Sequence, residues 1–281
     1  MDVRFLETLL AAVEEGTLAA AARRQGITAA AVAQRIAALE ASLKVPLLVR
    51  DGRHMAATPD CEALLPDLRQ MVALKAGLAG RLAQEQLGGR LRLGAVSTAL
   101  SDFGPTVVQQ LEKEAPAVEL ALIPAASEAV FRQFEQGALD AALIVAPPFA
   151  LPKTMQFDVL AKQPIGFVRS EGHGQGIAVP YLVYSRTSWG GAACWRALTS
   201  QMSEPQVRCE MDAVEIIAQM VEDGLGQSVL PRWGGLARHH AGLTFEAIPG
   251  AVRDVGLLTW RREARRPVIK LLRRCLGVEA A

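Results

Sequence analysis

The sequence predicts an all-helical head with a small β-wing, a long linker helix, and an α/β module built in two halves. Three observations carry that expectation. Apolar residues recur at helical spacing as far as about residue 86, with only Gly16, Gly26 and Gly52 before Gly77. From residue 90 short apolar runs alternate with helical stretches, the pattern of βαβ units around a parallel sheet. Gly88-Gly89 stands between the two regimes.

The elements follow in order. Phe5, Leu6, Leu9, Leu10 and Val13 give the first helix an apolar face. Gly16-Thr17 ends it, and Thr17 is an N-cap for a second helix, Leu18 to Gln25, closed by Gly26. Thr28 caps a third, in which Val32, Ile36, Leu39 and Leu43 line one side. Two short helices joined by such a turn are the outline of a helix-turn-helix. Asp51-Gly52-Arg53, between Pro46–Arg50 and His54–Thr58, is a hairpin signal and predicts the wing.

A long helix is expected from about Asp60 to Gln86. Leu64, Leu68, Met71, Lys75, Leu78 and Leu82 alternate steps of four and three, the seam of a coiled coil. Leu64, Leu68, Met71 and Leu78 are therefore the candidate dimerisation residues. Pro66 lacks an N–H and predicts a kink.

Beyond residue 90, strands are expected at Leu91–Val96, Val118–Ile123 and Ala141–Val145, with helices at Thr106–Glu114 and Glu128–Gln136. The pattern repeats more loosely through Ile165–Val168, Tyr181–Tyr184, helices near 192–202 and 213–222, Ser228–Leu230, Val255–Trp260 and a basic helix near 264–276. The expected divisions are 1–59 for the head, 60–89 for the linker helix and 90–281 for the module, with its second half about 164–262.

Thirty Lys plus Arg against twenty-nine Asp plus Glu exclude a strongly basic or acidic chain. Cys61, Cys194, Cys209 and Cys275 are scattered and read as reduced thiols. The start shows no charged-then-apolar signal pattern, and no apolar run reaches membrane-spanning length, so a soluble, cytoplasmic protein is expected.

Few residues suggest catalysis. His54, His173, His239 and His240 do not sit with carboxylates or cysteines at metal-ligand spacing. Nucleophile and phosphate-loop motifs are absent. No enzyme, metal or cofactor is expected. Hydroxyls are richer: Ser97, Thr98 and Ser127 follow the first two strands, where capping competes with an anion site at the sheet's carboxyl edge. Tyr184, Arg186, Thr187 and Ser188 form a second polar cluster, with Arg186 as a carboxylate anchor. On the third helix Thr28, Ala29, Ala30, Ala33, Gln34 and Arg35 lie outside the buried face, as either a solvated surface or a groove-facing one. Arg50 and Arg53 put charge on the wing, where arginine forks suit phosphates.

The head resembles the LysR-type transcriptional regulators, a large bacterial family. The matching strings are Val13-Glu14-Glu15-Gly16-Thr17, Ala20-Ala21-Ala22, Leu39-Glu40 and Leu43 to Arg50. The likeness continues through Gly137-Ala138-Leu139-Asp140 and Gly224-Leu225-Gly226 to Pro231. It implies a winged helix-turn-helix on double-stranded promoter DNA, and an effector domain like the type 2 periplasmic binding proteins. It also implies a homodimer or homotetramer, contact with RNA polymerase, and a small-molecule effector that shifts DNA binding. Hydroxyls around one arginine point to a carboxylate effector.

Two departures stand out. Alanines replace the polar start usual in the third helix, and residues 1–87 hold ten basic and ten acidic side chains. They keep a second reading open, a ligand sensor with weakened DNA binding. A solute-binding protein is the third.

Overall fold

Helix α1, Val3–Glu15, starts at Asp2, whose carboxylate accepts from the Arg4 N–H. It stops at Gly16, where φ is +67°. Thr17 accepts from the Ala20 N–H to start α2, Leu18–Gln25, and Gly26 ends that helix in the same left-handed conformation. Thr28 caps α3, Ala29–Leu43. Here each cap sits where the local signals put it. The alanines then determine packing distance: Ala11, Ala12, Ala21 and Ala22 are buried against Val32 and Ile36, so three helices meet at close range.

Strands β1, Leu48–Asp51, and β2, His54–Ala57, pair antiparallel as the wing. The Glu40 carboxylate accepts from the N–H groups of Leu47 and Leu48, fixing the wing to α3. Helix α4, Pro59–Leu82, continues through Pro66.

The computed structural model describes residues 2–51, 54–82, 87–171 and 179–278, with no side-chain description at 73 or 76–82. The chain divides into two compact units, one carrying residues 1–83 and a larger one carrying 84–134 and 139–281.

The seam expected on α4 needs correcting at one position. Leu68 is 4% exposed and packs in the head's own core with Leu6, Leu9, Leu39, Leu47, Cys61 and Leu65. Cys61, Leu65, Leu68 and Val72 form the inward stripe, at steps of four, three and four. Leu64 is half-buried, Met71 is exposed, and the side chain of Leu78 lies outside the described residues. Lys75, itself exposed, reaches the Glu7 carboxylate of α1 at 2.9 Å on the surface.

The larger unit is built on a six-stranded sheet in the order β4-β3-β5-β10-β6-β9. Its first half holds β3 (Gly88–Ala95), α5 (Ser97–Glu114), β4 (Ala117–Pro124), α6 (Ser127–Glu135) and β5 (Ala141–Val145). These three strands are parallel, as βαβ connections require.

The second half holds β7 (Tyr181–Tyr184), α7 (Trp189–Gln201), β8 (Val207–Met211), α8 (Val214–Glu222), β9 (Ser228–Pro231) and α9 (Gly234–His239). Each half has its own core: Leu91, Leu93, Leu143 and Ile269 in the first, Leu182, Ile217 and Leu230 in the second. The chain ends on α10, Pro267–Cys275, which packs on the first half.

Two strands longer than the apolar runs suggest join the halves. β6 runs from Met155 to Ser170 and β10 from Leu243 to Trp260, antiparallel along nearly their whole length. One end of β10 pairs with β5, and the far end of β6 pairs with β9. In the crossing stretch, Gln163 stands opposite Arg253.

Candidate functional site

In the head, the exposed side of α3 presents Ala29, Ala30, Ala33, Gln34 and Ala37, while Val32, Ile36 and Leu39 face inward. Thr28 spends its hydroxyl on the Ala31 N–H. Side chains this short leave a cavity of about 170 Å³ between α3 and the wing, lined by Ala33, Ala37, Glu40, Leu48 and Met55. Arg50 is exposed on β1, and Arg53 lies outside the described residues.

Arg35 corrects the expectation for this face. It is half-buried, and its guanidinium donates to the Thr8 hydroxyl of α1 at 3.1 Å. Thr8, wholly buried, donates within 2.8 Å of the Gln25 amide oxygen, so the three side chains link α1, α2 and α3. Arg35 holds the head together instead of extending its basic surface.

In the larger unit, a cavity of about 210 Å³ opens between the two halves. Val96, Ser97, Pro124, Ala125 and Ala126 line it from the first half, and Tyr184, Asp212 and Val214 from the second. Helices α5, α6 and α8 all begin at its wall. The N-cap residues of α5 and α8 are Val96 and Ala213, which make no side-chain cap bond. Their first-turn N–H groups carry the positive end of the helix dipole.

Of the seven expected effector residues, Ser97 and Tyr184 line this cavity. Thr98 and Ser188 stand behind it. Thr98 is 1% exposed and accepts from the Arg253 guanidinium at 3.0 Å. Ser188 caps α7 by accepting from the Gly191 N–H. The buried Ser127 hydroxyl accepts from the Val145 N–H and so stitches α6 to β5. Thr187 is exposed, its hydroxyl 3.0 Å from that of Ser185.

Arg186 is the main correction. It is exposed and committed to Glu210, with bonds of 2.7, 2.8 and 2.6 Å from its N–H, Nε and Nη2. The guanidinium also lies over the Trp195 ring at 4.8 Å. Hydrogen bonds from Arg186 hold the Glu210 carboxyl below its usual range. Both charges are satisfied on the surface, and neither lines the cavity.

The guanidinium that sequence reasoning missed is Arg253. It is 4% exposed, and its Nε donates to the Gln163 amide oxygen at 2.8 Å. Its other partners are the hydroxyls of Thr98 and Tyr184. All three are neutral, and the Glu215 carboxylate acts on the guanidinium through space. Burial pulls its pKa down, yet arginine keeps its proton in proteins. Burial likewise pushes the Tyr184 hydroxyl up, so it stays protonated. Asp212, on the cavity wall, is pushed up by burial and drawn partly back by the Ser188 hydroxyl.

Polar bridges cross between the halves around this site. Ser97 donates to Glu215 at 2.9 Å. The Glu128 carboxylate accepts from the Trp189 N–H. Asp102 accepts from the N–H groups of Gly234 and Gly235, at 3.0 and 3.1 Å, and from Arg238.

Cys194 is buried, and burial pushes its thiol up to about 12, so at neutral pH it is a thiol and a poor nucleophile. Among the described residues, no three His, Cys, Asp or Glu side chains are grouped to hold a metal. No helix among them is long and apolar enough to cross a membrane.

Comparison with known proteins places this arrangement. The family described as LysR substrate binding domain matches residues 84–280. The bacterial regulatory helix-turn-helix protein, lysR family, matches residues 3–62. The HTH-type transcriptional regulator IlvR of Caulobacter vibrioides is 30% identical over a 292-residue alignment, covering 98% of this chain and 97% of that protein.

A probable hydrogen peroxide-inducible genes activator of Mycobacterium xenopi is 34% identical over 146 residues, half of this chain and 76% of that one. Among solved structures, a full-length OxyR variant from Pseudomonas aeruginosa superimposes with a TM-score of 0.70 at 21% identity, covering 99% of this chain and 95% of that one. Full-length CbnR complexed with its target DNA gives 0.69 at 18%, covering all of both chains. The chain belongs to the LysR family of DNA-binding transcriptional regulators, with a helix-turn-helix head and an effector-binding domain.

Proposed function

We propose that the cavity between the halves of the larger unit is the effector site, and that its occupancy sets how the head binds promoter DNA. The carrying observation is that three helix starts and residues from both halves converge on one cavity. A ligand there bridges the halves, and only a ligand with different affinity for two states shifts their balance. The protein acts in the cytoplasm as a homodimer or homotetramer. Recognition helices of paired heads enter successive major grooves, and the bound complex meets RNA polymerase.

Filling the cavity tests the effector half. Ala126→Phe removes the ligand response of a promoter reporter and leaves ligand-free DNA binding within about twofold. A response that survives the substitution places the effector elsewhere.

The DNA half rests on the exposed α3 face and the wing. Alanines contact thymine methyls and add no hydrogen bonds, so Gln34 carries what polar base readout there is. Arg50 contacts phosphate. On DNA from upstream of its own gene, Arg50→Ala weakens binding to all sequences alike and shallows the salt dependence by about one unit of log–log slope. A changed base preference at unchanged slope would sink the wing assignment. No binding even at low salt would favour a ligand sensor that has lost its DNA function.

A further inference from the structure

We infer that Arg253, Gln163 and Asp102 form a hydrogen-bonded line that makes the two halves of the larger unit open and close in one step. Its regulatory meaning rests on the effector-site reading above. Gln163 and Arg253 stand opposite each other where β6 and β10, the strands joining the halves, cross. Both are buried, at 3% and 4% exposure. The Gln163 amide oxygen accepts from Arg253 Nε at 2.8 Å, and its nitrogen donates to the Asp102 carboxylate at 3.4 Å. Reversed, that amide would set N–H against guanidinium and oxygen against carboxylate, so its two charged neighbours fix its orientation.

Each end of the line meets both halves. Thr98 and Asp102 are four residues apart on α5, so one face of that first-half helix lies against the crossing. At one end Arg253 donates to Thr98, and Gly190 of the second half packs so close that a Cβ there would come within 2.8 Å of the guanidinium. At the other end Asp102 accepts from the N–H groups of Gly234 and Gly235 and from Arg238, all on α9 of the second half. Swinging the halves apart about the crossing breaks these directional bonds and admits water to Arg253. A bond kept at one end holds Gln163 and Arg253 where the other end needs them. Partial opening leaves buried polar groups unpaired, each at a cost, so closed and open are favoured over anything between.

Three backbone N–H groups report the opening. Trp189 begins α7, and Gly234 and Gly235 begin α9, so none has an acceptor within its own helix. Trp189 donates across the cleft to Glu128, while Gly234 and Gly235 donate to Asp102 at the far end of the line. The experiment is amide hydrogen exchange of the full chain without ligand, read at single residues by mass spectrometry with electron-transfer fragmentation. With one shared opening, the three protection factors should agree within about threefold. Asp102→Ala removes the α9 acceptor and should also lower Trp189 protection about 10- to 100-fold, although Glu128 is untouched. In Gln163→Met, which breaks the line at its centre, Asp102→Ala should no longer change Trp189.

Circular dichroism checks that the variants stay folded, and the comparison of the three amides in the parent needs no variant. Any of three results overturns the inference. One is Trp189 protection in the parent that differs by more than about threefold from that of Gly234 and Gly235. Another is Trp189 protection unmoved by Asp102→Ala, and the third is an effect of Asp102→Ala on Trp189 that survives Gln163→Met. If the line fails while Ala126→Phe still removes the ligand response, the halves open piecemeal and the effector cavity stands. If the line holds while the response survives Ala126→Phe, the halves are coupled and the effector binds elsewhere.

Discussion

Leu68→Asp should unfold the head and not merely split a dimer. The side chain is 4% exposed and packed among Leu6, Leu9, Leu39 and Leu65 within one chain. A carboxylate placed there has no cation partner in that cluster, and burying it costs several kcal/mol. A domain of this size has little more than that to lose. The helical signal of residues 3–82 should fall in far-UV circular dichroism, and DNA binding should disappear at every salt concentration.

All four tryptophans, Trp189, Trp195, Trp233 and Trp260, belong to the larger unit, so its unfolding followed by their fluorescence should be unaffected. The contrast is Met71→Asp, on the exposed side of α4, which should keep the head folded and weaken assembly in sedimentation. A folded, monomeric Leu68→Asp protein would show that this side chain meets a second subunit after all.

The head was legible because its signals are local. Gly16-Thr17 and Gly26-Thr28 each combine a left-handed stop with a hydroxyl cap, and both act within four residues. The stripe on α4 was not, because two sets of residues that share Leu68, one through Leu64 and Met71 and one through Cys61, Leu65 and Val72, both satisfy four-three spacing. Only packing against α1 shows that Cys61, Leu65 and Leu68 face inward.

The long strands β6 and β10 were missed in their middle for a similar reason. Gln163, Pro164, Val252 and Arg253 show no apolar run, and the partners of this stretch lie about ninety residues away. That distance also hid Arg253, whose role depends on Thr98, 155 residues earlier. Arg186 misled because its neighbours are hydroxyls, while Glu210, which neutralises it, lies across a strand pair. Asp212 and Val214 carry no motif; the fold alone brings them to Ser97.

Asp140→Ala should cost the larger unit about 1.5–3 kcal/mol, the range for losing hydrogen bonds to a charged group in a part-buried network. Asp140 follows the left-handed Gly137 and enters β5, the stretch that resembles the family pattern. Its carboxylate accepts from the Arg92 backbone N–H at 2.8 Å and its Nε at 3.2 Å, and from Arg266 at 2.8 Å. One side chain thus ties β3 to the start of α10. Without it the Arg266 guanidinium loses this partner at 18% side-chain exposure, and the Arg92 N–H of β3 loses its acceptor.

Burial pushes the Asp140 carboxyl up, but the hydrogen bonds from Arg92 and Arg266 outweigh that and hold it below its usual value. The folded state therefore prefers the carboxylate, and its stabilisation is full above the unfolded value near pH 4. It is lost as pH falls through the lower, folded value. Urea unfolding followed by tryptophan fluorescence should show a constant gap between parent and Asp140→Ala from pH 7 to about 5. The gap should narrow as the pH falls below about 4. A gap that widens in acid would mean that the network favours the protonated acid, contrary to the two arginines around it.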